Sequence, residues 1–365
     1  MNALRITTGA RLHFGLLDVV PPFGGCGVMV DHPATVVEAR RASEFGYSQV
    51  DAPVDHRDRA VAVARRIADR VKPNGPLPGV HVSVRNLAPP HSGLGSGTQL
   101  SLAISEAILR VVPDCFGEAA ATDLPNNDNP DIETPADVLS ASGVPETSGT
   151  PLSGELWLRG ADRGRRSAVG THGYRLGGFL VEGVDRAGGE AIPNPLDLRL
   201  EMPLSWRVAI VLPNAPVFGA ESVSGEQEQA HFDALSPVPR ERRSEMIALL
   251  NDSLLPAIRD EDFERFCSAT TKYNRLSGEL FAPVQGGAYN GDETAKLIER
   301  LLGEGFGGVG QSSWGPGVFV WHRDQASLMA FRDSWSHPGY RILTTRPKRD
   351  GRRAEWIANE DDAGN

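Results

Sequence analysis

A chain of 365 residues, 40% hydrophobic and 23% charged, has an ordinary globular composition and room for one large domain or two of common size. Its 47 acidic side chains outnumber 37 basic ones, and the net charge of −10 argues against a nucleic-acid partner; an anionic substrate would have to meet a local basic cluster. Cys26, Cys115 and Cys267 are too sparse for a disulfide framework or a zinc signature, and neither a signal peptide nor a run of eighteen apolar residues is present, so a cytoplasmic protein with no membrane partner is expected.

In chain order, LRITTG, RLHFGLLDV, GCGVMVD and ATVVEARR read as four strands, with the turn chemistry of PPFGG between the second and third. Asp55 stands before a helix from His56 to Val71 with an apolar stripe of Ala60, Val63, Ala64, Ile67 and Val71. GVHVSVRN alternates as a half-buried strand, and PPHSGLGSGTQL leads into a helix whose core face carries Leu100, Ile104, Ala107, Ile108 and Val111. Residues 114–150, rich in Pro, Asn, Asp, Ser and Thr, read as a mobile insertion. SGELWLRGADRGRRSAVG reads as a helix and a basic turn, and GGFLVEG as a strand. A first domain over 1–193 is therefore expected. A second, over 204–348, starts with the strand WRVAIVLPN, continues through three helices and ends in a β-β-α-β run; 349–365 reads as a frayed polar tail.

The bare loop between a strand and a helix start is the strongest chemical signal, because exposed backbone N–H groups at a helix N-terminus suit phosphate. Ser92, Gly93, Leu94, Gly95, Ser96, Gly97, Thr98 and Gln99 are its candidate phosphate-binding residues, with Thr98 also a candidate for a bound metal. The spacing is neither a dinucleotide fingerprint nor a Walker A loop. Arg163, Arg165 and Arg166, with Ser167, concentrate positive charge in an acidic chain: a phosphate clamp with a helix start behind it, or a solvated charge run at a helix end. Arg11 and His13 share one strand face as candidate anion ligand and proton handler, or as ordinary half-buried residues. Asp18, at the strand end, is a candidate for magnesium or for facing a cationic transition state, or a simple turn residue. Gln285, Gly286, Gly287 and Tyr289, with Gln311, Ser312, Ser313 and Trp314, form polar loops in the second unit, and His91 adjoins the glycine loop.

P-x-x-G-L-G-S ahead of a helix, after several strands, resembles the phosphate loop of the GHMP kinase superfamily, and GGVGQSSWGPGVFVW resembles its third motif. Within that superfamily, RLHFGLLDV, PPHSGLGSGTQL, RGRRSAVGTHG, GGFLVEG, SGEQEQAHF and QGGAYNGDE are similar to the β-ribofuranosylaminobenzene 5′-phosphate synthase family of methanopterin biosynthesis. The resemblance implies an α+β fold of two domains, the first mixed α/β and the second ferredoxin-like. It implies transfer from phosphoribosyl pyrophosphate to an aromatic carboxylic acid, 4-aminobenzoate or 4-hydroxybenzoate, with loss of pyrophosphate and CO2; the departing pyrophosphate makes Mg²⁺ an expected companion. Arg11, His13 and Asp18 are the expected catalytic residues, Asp18 and Thr98 the expected metal ligands, and a homodimer is one expected state. The superfamily's kinases usually read Gly-Leu-Gly-Ser-Ser-Ala, whereas Gly97 and Thr98 stand here in place of Ser-Ala. An ATP-dependent kinase and a non-catalytic binding protein of the same fold are the alternatives.

Overall fold

The computed structural model describes residues 2–50, 54–116, 156–184, 193–214 and 226–358. Most of the 114–150 insertion lies outside them.

The four expected opening strands are two long ones, β1 (Ala3–Leu16) and β2 (Gly25–Arg41), paired antiparallel from Leu4↔Ala39 to Leu16↔Gly25. The register shifts between Thr8 and Ala10 and again between His13 and Gly15. The glycines and Pro33 that read as strand breaks fall at or near these irregularities, where a bulge bends a strand without ending it. Then come β3 (Gly46–Gln49), α1 (Arg57–Val71), β4 (Val80–Asn86), α2 (Ser96–Val111), α3 (Leu156–Ala161), α4 (Val169–Leu176), β5 (Phe179–Glu182) and β6 (Leu196–Leu200). Asp55 does receive a helix-start N–H, that of Arg57, at 2.8 Å. Ala60, Val63, Ala64 and Ile67 of the α1 stripe pack with Leu4, Ile6, Val37, Val82, Ile104, Ile108 and Trp157 in one core, whereas Val71, expected in the same stripe, is exposed at the helix end. Helix α2 is buried on nearly every side, a helix through the middle of the unit rather than an amphipathic cover.

The second unit comprises β7 (Arg207–Pro213), α5 (Glu226–Asp233), α6 (Arg240–Leu249), α7 (Leu255–Arg259), α8 (Phe263–Glu279), α9 (Ala282–Gln285), α10 (Asp292–Gly303), β8 (Val309–Gln311), β9 (Val318–His322), α11 (Gln325–Ser334) and β10 (Tyr340–Thr345). A π-helical turn, Leu250–Leu254, joins α6 to α7. Its strands form an antiparallel sheet in the order β10-β7-β9-β8, the arrangement of a split β-α-β ferredoxin-like layer. Sequence reading missed α10, whose Leu297, Ile298 and Leu301 cover one face of this sheet with Leu328 and Phe331 of α11.

The tail corrects an expectation. Residues 353–357 form a strand, β11 (Arg353–Ile357), that pairs antiparallel with β1 and gives the first unit's sheet the edge order β11-β1-β2-β4-β3. Just before it, Arg352 is buried and forks onto Glu106 of α2 at 2.9 and 3.0 Å. The chain thus leaves the first unit, builds the second and returns. A shared core runs between them: Phe14 of β1 lies within 5.2–6.4 Å, ring to ring, of Phe179, Phe266, Phe319 and Trp321. Phe14 is thus a core residue shared by both units.

Candidate active site

The glycine loop stands where the two units meet. Leu94 accepts the N–H of Arg11 at 2.9 Å, Gly93 accepts the Ser312 hydroxyl at 2.8 Å, and Ser92 accepts the N–H of Gly317 at 3.2 Å. Ser312 also takes the His13 N–H at 3.0 Å, so one buried hydroxyl ties β1, the glycine loop and the C-terminal turn together. At Gly93 φ is +78°, and a Cβ would collide with the Ser312 carbonyl oxygen, so this position requires glycine. Ser92 spends its hydroxyl on Pro89 at 2.6 Å.

A cavity of about 210 Å³ is lined by residues 91–98 together with Arg59, Arg163 and Arg11. A second, of about 500 Å³, is lined by Arg11, His13, Thr98, Arg163, Arg165, Arg166 and Ser167. Arg11, Thr98, Arg163, Glu228, Ser313 and Trp314 line both, so the two are compartments of one site. The structure therefore brings together the loop, the arginine cluster, Arg11 and His13, which lie far apart in the chain. Trp314, Phe232, Phe281 and Phe23 form an aromatic wall, with Trp314 4.9 Å from the Phe281 ring and Phe232 5.6 Å from Phe23. Gln285 and Gln311 also line the larger compartment, but their amides bond backbone, so they shape the wall.

The electrostatics favour an anion. Arg11 Nε is buried with no hydrogen-bond partner among the described residues. Burial pulls the Arg11 pKa down to about 10, against the opposing pull of Glu182 and Glu228. Arg163 is likewise held at about 10, by burial first and then by Arg59. Arg59 is lowered by burial and by Arg66. Guanidiniums remain charged even so; the shifts measure how poorly solvated and crowded they are, a condition that a phosphate relieves.

Arg59 was not legible as a site residue. Its Nη1 donates to the Gly97 carbonyl at 3.2 Å, and a Cβ on Gly97 would lie 2.6 Å from that nitrogen. The glycine that replaces the kinases' usual serine thus makes room for a guanidinium beside the phosphate loop.

Other expectations need correction. Gln99 faces the interior: its amide accepts from Thr8 at 2.7 Å and donates to Gly170 at 2.8 Å, and it lines neither compartment. Asp18 is fully buried, accepting N–H groups of Val19 at 2.8 Å and Val238 at 3.1 Å, with Arg243 at 3.9 Å. It lines neither compartment and ties the strand end to the segment before α6. As a metal ligand it does not fit, since it is fully buried away from both compartments, with Oδ1 taking backbone N–H groups and Oδ2 turned to the Arg243 guanidinium; of the expected pair, Thr98 alone borders the site. Among the described residues there is no group of three or more His, Cys, Asp or Glu arranged to hold a metal.

The arginine run divides. Arg163 lines both compartments; Arg165 is 69% exposed and pairs with Asp162 at 2.7 Å; Arg166 pairs with Glu228 at 2.6 Å and lies over the Phe232 ring. The helix start behind them spends its first two N–H groups inside the protein. The N–H groups of Ala168 and Val169 go to Glu182, a buried carboxylate at the end of β5. Ser167 donates to Glu182 at 2.8 Å and lies 3.0 Å from His13 Nε2. Burial and the charge of Arg11 hold His13 well below the usual histidine range, so its ring is neutral.

Residues 58–124 match the family described as GHMP kinases N terminal domain. The β-ribofuranosylphenol 5′-phosphate synthase of Methanothermobacter thermautotrophicus is 25% identical over 340 residues, 87% of this chain and 88% of its own. The protein of the same name from Archaeoglobus fulgidus is 25% identical over 368 residues, 96% and 99% of the two chains. Among solved structures, homoserine kinase from Cytophaga hutchinsonii superposes with a TM-score of 0.56 at 15% identity, covering 97% of this chain and 98% of that one. Mevalonate diphosphate decarboxylase from Staphylococcus aureus gives 0.56 at 12% identity, covering 98% of each. The chain therefore has the GHMP kinase fold and is similar, along nearly its whole length, to the β-ribofuranosylphenol 5′-phosphate synthases.

Proposed function

We propose that this protein is a decarboxylating ribosyltransferase of methanopterin biosynthesis, joining phosphoribosyl pyrophosphate to 4-hydroxybenzoate or 4-aminobenzoate. The observation that carries the reading is Arg11, a buried guanidinium whose Nε has no partner among the described residues, at the junction of a glycine-loop compartment and an aromatic-walled one. The relatives' name speaks of a ribofuranosyl group, a 5′-phosphate and a phenol, which favours the hydroxy acid as acceptor.

In this reading the loop N–H groups with Arg11, Arg59 and Arg163 hold the pyrophosphate and stabilise its charge as it departs. The C1–O bond breaks with its electron pair going to pyrophosphate. The ring carbon bearing the carboxylate attacks C1, and the C–CO2 bond then breaks, its pair restoring the aromatic ring. A drier pocket speeds CO2 loss, and the wall of Trp314, Phe232 and Phe281 supplies low polarity there. Magnesium would accompany the substrate's phosphates, since Mg²⁺ keeps much of its own water and binds few protein ligands.

The test is product analysis with phosphoribosyl pyrophosphate and each aromatic acid, and in parallel with ATP and homoserine or mevalonate. Pyrophosphate and CO2 in equal amounts are expected from the first arm. ADP from the second, with none from the first, overturns the reading in favour of a kinase.

A further inference from the structure

With this cavity as the site of ribosyl transfer, we propose that Glu182 is a positioning residue that ends a buried proton relay, through Ser167 and His13, for one proton from the acceptor's hydroxyl or amino group. The geometry is a line of three side chains from the cavity wall inward. His13 lines the cavity beside Arg11, its Nε2 is 3.0 Å from Ser167 Oγ, and that hydroxyl is 2.8 Å from Glu182 Oε1. A hydroxyl has one proton to donate. When Ser167 gives it to Glu182, its oxygen accepts from His13, which must hold Nε2–H and present Nδ1 as an acceptor.

That arrangement suits the chemistry. Attack by a ring carbon para to a hydroxyl or amino group makes that group's proton acidic. His13 Nδ1 takes it, His13 Nε2 passes its proton to Ser167, and the Ser167 proton moves to Glu182. His13 ends neutral in its other tautomer, so no imidazolium forms next to Arg11, and the relay runs back once CO2 has left and the ring is aromatic again. Burial pushes Glu182 up to about 7 despite its three donors, which allows it to take and return a proton near neutrality. The groups around it are Arg11 of β1, Cys26 of β2, Asp197 of β6 and Tyr273 of α8. Arg11 favours the carboxylate and Asp197 opposes it, while Cys26 and Tyr273 stay neutral because burial raises both.

The test begins on the free protein, with 15N-labelled histidine and the His13 resonances assigned from a His13→Gln sample. The Nε2–H tautomer is expected at mildly alkaline pH, converting to Nδ1–H, without ring charging, as Glu182 takes up a proton. Ser167→Ala and Glu182→Gln should each abolish this conversion. In turnover, Ser167→Ala should lower kcat about a hundredfold, the low end for general acid–base catalysis, with KM for phosphoribosyl pyrophosphate nearly unchanged. A wild-type ring that keeps one tautomer, or becomes imidazolium, across this range overturns the relay. Wild-type turnover in Ser167→Ala overturns its role in the reaction. If no substrate pair yields pyrophosphate and CO2, the transfer reading falls instead, and the tautomer measurement still decides whether His13 and Glu182 are coupled.

Discussion

Three side chains separate charge that binds from charge that builds. Arg59 fills the space left by Gly97, so Gly97→Ser should displace the guanidinium while leaving the fold intact, because the obstructed atom ends a flexible side chain. Arg59→Ala should weaken pyrophosphate binding by about 1.5–3 kcal/mol, the range for hydrogen bonds to charged groups, in a calorimetric titration. Glu228 is the opposite case. Its carboxylate takes Arg166 at 2.6 Å and the Trp314 indole N–H at 3.2 Å, inside a site built for anions. Glu228→Gln removes a like charge from the phosphates' surroundings and should tighten pyrophosphate binding about tenfold by the same measurement, with a smaller gain at high salt. Weaker binding would show that Glu228 works with the ligand. Asp18→Asn should lower stability by about 1.5–3 kcal/mol in denaturant melts, because a buried, charge-assisted acceptor is lost opposite Arg243, with turnover per folded molecule kept.

The elements form a site because two loops from different units are tied to each other. Ser312 reaches back to Gly93 and His13, and the glycine turn ahead of β9 bonds Ser92. Gly93→Ala should force these loops apart, adding a left-handed φ that costs an L-residue about 1–2 kcal/mol to the steric clash. The expected result is a lowered melting temperature with a larger loss of pyrophosphate affinity; unchanged values of both would mean that the junction is dispensable. Ser312→Ala, which removes the tie without the clash, should give the weaker version of the same effect. The start of α4 follows the same principle. Its backbone N–H groups would be open to a ligand in isolation, but Glu182 of β5 accepts them first.

Over the whole molecule, the chain ends by returning to where it began. β11 pairs with β1, and Arg352 forks onto Glu106, which also accepts from Tyr174 at 2.6 Å and Arg110 at 2.7 Å. A chain truncated after residue 349 should lose this buried ion pair along with an edge strand. Arg110 and Tyr174 stay on Glu106, so losing the Arg352 fork should cost about 1.5–3 kcal/mol, the range for hydrogen bonds to charged groups, and the lost edge strand adds to it, so thermal melting should shift down. A truncated protein that melts as the full chain does would make the last strand an appendage. The core around Phe14 likewise joins the two units into one body, and separate expression of either should expose Phe266, Phe319 and Trp321 or their partners.

What lay in the sequence by itself was local and repetitive chemistry. The glycine loop from Ser92 to Thr98 could be read because a strand, a bare loop and a helix start are neighbours in the chain, and the ββαβ ending because apolar periods are short-range. Arg11 and His13 could be placed on one strand face by the period of two. Tertiary structure alone decided the rest. Arg59 sits on the polar face of an unremarkable helix and meets Gly97 only when α1 packs on the sheet. Asp18 and Glu182 are both carboxylates at strand ends, and nothing local says which stands behind a cavity-lining serine and which braces a turn. A buried charge takes its meaning from partners that fold to it from elsewhere: Val238 is 220 positions from Asp18, and Ser167 is 154 from His13. Glu182 did leave a trace, a lone carboxylate closing the apolar run Phe179–Val181, since an unpaired charge is rarely tolerated at full burial.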